Sequence, residues 1–261
     1  MDFIHKNIFY KTYILFLMKN SYWIVGKHSV NAILQNPSRE IIEIISLKKE
    51  YFKHNNKKIS YKIVNQKTFS KILDNNEIAH QGIAALVRPL KKLNFLEEIK
   101  KKELKNLIML DEITDTRNIG SIMRNALAFN IDGIIINEKD FNEKSQSMHK
   151  ASSGSLEKIK IFQVSNLSNA VDQLKKNNYW IIGLDGKANE NVESFDWFDQ
   201  NVLIFGSENK GIRKNILSKC DKVLKINISN KIESLNVSSA TSAALLLLNL
   251  NQDKLLNKSG R

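Results

Sequence analysis

From residue 106 to about residue 251 the chain alternates short apolar runs with segments of helical spacing, and this alternation limits the possible folds more than any other feature. The apolar runs are 106–112 (NLIMLDE), 133–137 (GIIIN), 159–164 (IKIFQV), 180–186 (WIIGLDG), 202–206 (VLIFG) and 222–228 (KVLKINI). Helices are expected between them at 119–129, 167–176 and 212–219, with a last helix over about 238–251. Apolar strands separated by helices predict a mostly parallel sheet covered on both faces. Such a sheet binds its ligand at the carboxyl ends of its strands. No GxGxxG follows the first strand and no GxxxxGK[ST] is present, which disfavours a dinucleotide fingerprint and a P-loop.

Residues 22–90 read as a separate small α/β unit. WIVGKHSVNAIL (23–34) begins as a strand, turns at Gly26 and takes helical spacing at Val30, Ile33 and Leu34. Strands are expected at 40–47 and 58–65, a short helix at 70–75, and a Gly-punctuated strand at 80–90 ended by Pro89. Residues 91–105 are dense in charge and read as a linker with some helical character. A second, larger unit is then expected over 106–261. Residues 1–21 read as a non-native or disordered extension. The apolar stretch 8–18 is interrupted by Lys11, is too short to cross a bilayer as a helix, and precedes no small-residue cleavage site. Met18 is the expected native start, with 1–17 read from an upstream start codon.

The chain has 261 residues, with 40 Lys and Arg against 27 Asp and Glu, a net charge of +13. That surplus fits a polyanionic partner, or a proteome generally rich in Lys. Cys220 is the only cysteine, which rules out an intramolecular disulfide and a Cys-based metal cluster. The histidines, His5, His28, His54, His80 and His149, form no HxxxH or HxH pair, so no metal site is expected. A soluble, cytoplasmic protein without a membrane span is expected.

Three segments at strand ends carry chemistry-bearing side chains. In 111–129 a strand runs through a polar turn into a helix, with Asn118 placed to cap it and Arg124 able to grip a phosphate through its planar fork. In 203–212 a strand enters Gly206, Ser207, Glu208 and Gly211, a turn suited to a small polar ligand. In 226–250 a polar loop with Ser234, Leu235 and Asn236 leads into a helix rich in small residues. Each alone also reads as an ordinary turn or a capped core helix.

Together, in this order, they resemble the SpoU/TrmH (SPOUT) family of RNA 2′-O-ribose methyltransferases. The resemblance rests on Asn118, Gly120, Ser121, Arg124 and Ala126; on Gly206, Ser207, Glu208 and Gly211; on Ser234, Leu235, Asn236, Val237, Ser238 and Ala240; and on KASSGSLE at 150–157. WIVGKHSVNAIL and HQGIAALV are similar to the start and end of the small RNA-binding domain in the family's 23S rRNA guanosine methyltransferases (the RlmB-like subgroup). Thr116 and Asn227 stand where the family usually has proline, which implies looser loops rather than lost contacts.

The resemblance implies a trefoil knot in the catalytic sheet, a homodimer, and S-adenosyl-L-methionine as methyl donor. It implies cofactor contacts from Gly206, Ser207, Ile226, Ile228, Ser234 and Leu235, and catalytic or pocket-shaping roles for Arg124, Asn118, Glu208 and Asn236. It further implies that Arg124 of one subunit approaches the cofactor of the other. The implied substrate is RNA, with a guanosine of 23S rRNA as the expected target. The rival readings are a tRNA ribose methyltransferase, a resistance-conferring rRNA methyltransferase, and a catalytically silent RNA-binding or assembly factor. His28 and His80 are candidates for RNA contact or for structural roles in their glycine turns.

Overall fold

The computed structural model describes residues 21–52, 59–73 and 80–259. The expectations for residues 1–20, including the start at Met18, lie outside the described residues. The chain divides into two compact units: residues up to Lys91 together with Glu143–Lys150, and Lys92–Asn142 together with Ala151 onward.

The first unit is a four-stranded sheet built from β1 (Tyr22–Val25), α1 (Lys27–Gln35), β2 (Ile41–Ser46), β3 (Ser60–Ile63), α2 (Gln66–Ile72) and β4 (Ile83–Val87). The order is β1-β4-β2-β3, antiparallel except for β2 against β3. Successive strand residues point to opposite faces, so each strand feeds two cores. Ile24, Ile44, Ala85 and Val87 pack with Val30 and Ile33 of α1. Val25, Ile45 and Ala84 pack with Phe69 of α2 and Leu73. The turn at Gly26 has φ 98, a conformation that glycine alone adopts freely, and the helix follows at once. His80 plays a structural part in its turn: its Nδ1 accepts the Gly82 N–H at 3.0 Å and its ring lies 4.6 Å from that of Phe69. His28 is exposed.

Residues 143–150, remote in sequence, complete this unit. The Glu143 carboxylate accepts from Arg39, from the Tyr22 hydroxyl and from the Leu90 N–H, each at 2.8 Å. Arg39 also donates to the Arg88 carbonyl at 2.8 Å, and its side chain is fully buried. Burial pushes the Tyr22 phenol well above its ordinary pKa. No periodicity marks this strap, because its contribution is ionic rather than apolar.

The second unit contains α3 (Phe95–Lys100), β5 (Asn106–Asp111), α4 (Thr116–Ala128), β6 (Gly133–Asn137), β7 (Lys160–Val164), α6 (Leu167–Lys176), β8 (Trp180–Leu184), β9 (Glu190–Asn191), β10 (Asn201–Gly206), α7 (Lys214–Leu217), β11 (Lys222–Lys225) and α8 (Val237–Ser259); α5 (Gln146–Ser152) starts in the first unit and ends here. Its seven strands are all parallel, in the order β7-β6-β5-β10-β8-β11-β9. The central strands are buried along their length, as a sheet covered on both faces requires. One face packs Leu107, Met109, Ile135, Val202 and Ile204 against α3, α6 and α7. Alternation turns Ile108, Leu110, Leu203 and Phe205 to the other face. There α4 packs against α8 and α8 reaches β10. The charge-dense 91–105 segment is therefore more than a linker, since Phe95 and Ile99 of α3, four residues apart, enter the core.

The β5–β10 register pairs Asn106 with Asn201 at one end and Asp111 with Gly206 at the other. Asn201 donates to Asn106 through a buried bond of 2.9 Å. A slip of one residue would break that bond and exchange the two faces. Beyond β10 the chain folds back on itself: Gly211, at φ 67, donates its N–H to the Ser207 carbonyl at 2.8 Å. A Cβ on Gly206 would lie 2.1 Å from the Gly211 carbonyl carbon and 2.3 Å from the Ile212 nitrogen, both backbone atoms. No side chain fits there without moving the loop.

Two outcomes follow from these packings. Glu143→Ala leaves the Arg39 charge buried beside a vacated carboxylate site, and about 3–5 kcal/mol is the expected loss in chemical denaturation. Gly206→Ala is expected to lose at least about 1–3 kcal/mol from backbone overpacking. Gly186→Ala, where nothing lies within 4 Å of the added Cβ, is the near-neutral control.

Candidate active site

The strand order reverses between β5 and β10: the chain runs outward through β6 and β7 on one side and fills the other side with β8 to β11. In a parallel α/β sheet the ligand crevice forms outside the carboxyl ends of the strands at this reversal. Three of the expected site residues meet there.

β5 ends at Asp111, Glu112 turns the chain at φ 56, and α4 begins at Thr116. The helix is capped by Asp115, whose side chain accepts the Arg117 N–H, and not by Asn118 as the sequence pattern suggested. The cap falls three residues earlier because Asp115 takes the extended conformation and Thr116 is already helical. The Arg117 backbone N–H, and then its guanidinium, hold the Asp115 carboxyl below the usual range. Asn118 thus sits in the first turn with its amide free for long-range bonds.

Its Nδ2 donates to Glu208 Oε1 at 3.2 Å, and its Oδ1 accepts from Asn236 Nδ2 at 3.1 Å. Asn236 Nδ2 also donates to Glu208 Oε1 at 2.7 Å. The Val237 N–H, first in α8, points at the same oxygen at 3.3 Å. Asn236 caps α8, its Oδ1 accepting from the Ser238 N–H at 2.9 Å and hydroxyl at 2.7 Å. The Glu208 carboxylate therefore stands at a helix N-terminus, where the aligned peptide dipoles favour negative charge. Asn125, two turns along α4, donates to the Ser238 carbonyl at 3.0 Å and ties the same two helices together.

Arg124 is exposed and has no ion-pair partner among the described residues. Six residues on from Asn118, it lies about 240° round the helix, so it faces away from the Asn118–Glu208–Asn236 cluster. Arg117, Ser121 and Arg124, at i, i+4 and i+7, share that other face. The structure therefore brings Asn118, Glu208 and Asn236 into one bonded group and leaves Arg124 outside it.

Of the residues expected to hold the cofactor, Gly206, Ser207 and Ile226 lie at the ends of β10 and β11 at one edge. β8 lies between β10 and β11, with Leu184 in register with both Phe205 and Leu224. Gly206 ends β10 one step beyond that row and Ser207 follows it, and Ile226 leaves β11 two steps beyond it. The run read as a strand to Ile228 stops at Lys225, because the neighbouring β9 offers only two residues to pair with. Ile226 and Ile228 are thus loop residues, and the Asn227 N–H bonds Glu193 at 3.2 Å instead. Leu235 adjoins Asn236 and is half-buried, whereas Ser234 is exposed.

Sequence reading missed three residues. Asp185, absorbed into the WIIGLDG strand pattern, follows β8 on the same edge; one carboxylate oxygen accepts the Lys187 N–H at 2.9 Å, and the other faces Gly211. Asp111 and Arg213, 102 residues apart, form an ion pair at 2.7 Å with Asp111 fully buried. Only the strand-end position of Asp111 was a signal. Burial pushes the Cys220 thiol up to about 11, which disfavours the reactive thiolate. Among the described residues no group of three His, Cys, Asp or Glu side chains is placed to hold a metal ion, and no helix is long and apolar enough to cross a membrane.

Residues 105–246, more than half of the chain, match the SpoU rRNA methylase family, and residues 23–93 match the RNA 2′-O ribose methyltransferase substrate-binding family. A TrmH family tRNA/rRNA methyltransferase of Staphylococcus aureus is 32% identical over 227 residues, covering 84% of this chain and 92% of its own length. Its Staphylococcus epidermidis counterpart is 32% identical over 240 residues, covering 90% and 94%. Among solved structures, the SpoU methyltransferase AviRb from Streptomyces viridochromogenes, in complex with AdoMet, superposes with a TM-score of 0.77 at 19% identity, covering 90% of this chain and 91% of its own. An AdoMet-bound rRNA methyltransferase from Sinorhizobium meliloti gives 0.75 at 20% identity, covering 88% and 87%. A family match over most of the second unit, a substrate-binding match over the first, and relatives this similar along nearly their whole length have one reading: the chain belongs to the SpoU family of RNA methyltransferases.

Proposed function

We propose that this protein transfers a methyl group from S-adenosylmethionine to a ribose 2′-hydroxyl in RNA, with a guanosine of 23S rRNA as its target, and that it acts as a homodimer. The observation that carries this reading is the bonded group of Asn118, Glu208 and Asn236, three segments of the chain joined at the reversal point of a parallel sheet. The edge beside it suits the cofactor. Gly206 carries no side chain, loops leave two strand ends there, and the Asp185 carboxylate offers an acceptor for ribose hydroxyls. Gly206, Ser207, Ile226, Ile228, Ser234 and Leu235 line or adjoin that edge and would hold the cofactor, and a trefoil knot in these loops belongs to the same reading. The cofactor supplies an activated methyl group: the O–CH3 bond forms as the S–CH3 bond breaks.

The protein's own part is alignment and charge placement. Glu208 and the two asparagines fix the loop that carries Gly206 and the start of α8. Arg124, unpaired and turned from its own cluster, fits a role toward the site of a second subunit. There its fork grips the phosphate next to the target ribose and stabilises the oxygen as it loses its proton to phosphate or water. Exposed Leu246 and Leu250 on α8 are candidates for the surface shared by two copies. The basic first unit adds affinity for the RNA backbone.

Replacing Arg124 by Lys keeps the charge and loses the fork; turnover is expected to fall by roughly 10²-fold or more, with calorimetric binding of S-adenosylmethionine unchanged. Near-normal turnover in that variant removes Arg124 from the mechanism. The relatives are named for tRNA and rRNA alike, so the substrate is tested directly. Mass-spectrometric mapping of ribose methylation in cells with and without the gene is expected to show one missing mark in 23S rRNA. A missing mark in tRNA would move the target, and absence of cofactor binding would favour a silent RNA-binding factor.

A further inference from the structure

The loop that carries Glu208 begins and ends beside a single residue, Asp111. It leaves the sheet at Gly206, which is in register with Asp111. It returns at Arg213, whose backbone N–H and Nε donate to the two oxygens of Asp111, each at 2.8 Å, while Nη2 lies 2.7 Å from Oδ1. Between these points the Ser207–Gly211 turn closes on itself, and Ile212 is buried in the core beneath. Asp111 is fully buried, so its charge depends on those donors and is not a loose surface pair. Arg213 also faces Glu112, at 3.9 Å, and Asp140. Its bond to Asp111 raises the arginine's pKa further, while burial, then Glu112, lifts that of Asp140. One guanidinium thus serves three carboxylates.

We infer that Arg213 is a positioning residue for the methyl-transfer site: by pinning the return end of the 206–213 loop to Asp111, whose strand register already holds the Gly206 end, it sets where Glu208 meets Asn118 and Asn236, and so sets cofactor affinity without touching RNA. This inference rests on the methyltransferase reading above. Arg213 reaches the reacting groups only through the 206–213 loop, and chiefly through Glu208, so its loss should act on one substrate and not the other.

The test is steady-state kinetics of full-length protein on rRNA, with both substrates varied and melting temperature measured in parallel. For Arg213→Ala the KM for S-adenosylmethionine is expected to rise about tenfold or more while the KM for RNA stays within about twofold. Arg213→Lys, which restores charge and one donor, is expected to recover part of the loss. In the Glu208→Gln background, Arg213→Ala should add little further to the cofactor KM, because the two act in series. If the alanine variant does not fold, the lysine variant carries the test. A lysine variant with unchanged cofactor KM, an alanine variant whose only defect is a lower melting temperature, or fully additive effects with Glu208→Gln each overturn the role. Wild-type protein that binds no S-adenosylmethionine overturns the underlying reading, and the role with it. Wild-type binding with unaffected variants overturns the role alone.

Discussion

A single oxygen, Oε1 of Glu208, receives N–H groups from Asn118, Asn236 and Val237, and three distant segments of the second unit meet on it. An ionised carboxylate only accepts hydrogen bonds, so it can gather donors from unrelated segments without steric demands of its own. At the first turn of α8 it also meets the positive end of a helix dipole. Two asparagines and a helix start thus depend on one charge, which the turn after β10 delivers to them from another part of the chain.

That gathering works because the frame beneath is apolar and fixed in register. The parallel pairing of β5 with β10 brings Asp111 beside Gly206, and the buried Asn106–Asn201 bond marks the same register at the opposite end. The strands contribute almost no polar chemistry themselves. They place the ends of loops to within one residue, after which short loops have little freedom in where their side chains fall. Groups held this way lose little further freedom when a ligand arrives, which favours alignment as the means of catalysis.

Strands β5, β6, β7, β8 and β10 were legible because a short apolar run flanked by charged residues is stable only when buried, and a covered sheet buries it. Strand 133–137 and helix 167–176 follow from the sequence to the residue. The three segments that form the bonded cluster were legible as motifs, though their mutual bonds were not. What escaped the sequence has physical causes. The cap of α4 depended on the backbone conformation of Asp115, which competed with an equally good capping residue at 118. The end of β11 depended on the length of a neighbour too short to be noticed, β9. The helix at 95–100 was hidden by its many charges, although two apolar positions sufficed to dock it. Ion pairs between distant residues, Arg39 with Glu143 and Asp111 with Arg213, leave no periodic trace at all.

The fold-back after β10 fixes a count as well as a shape. The contact of Gly206 with Gly211 is backbone against backbone, so the four residues between them cannot be lengthened or shortened by one without opening the ring. Insertions that would pass unnoticed in an ordinary surface loop are barred here. The longer stretch between β11 and α8 contains no glycine held backbone against backbone in this way, so a change of length is better tolerated there.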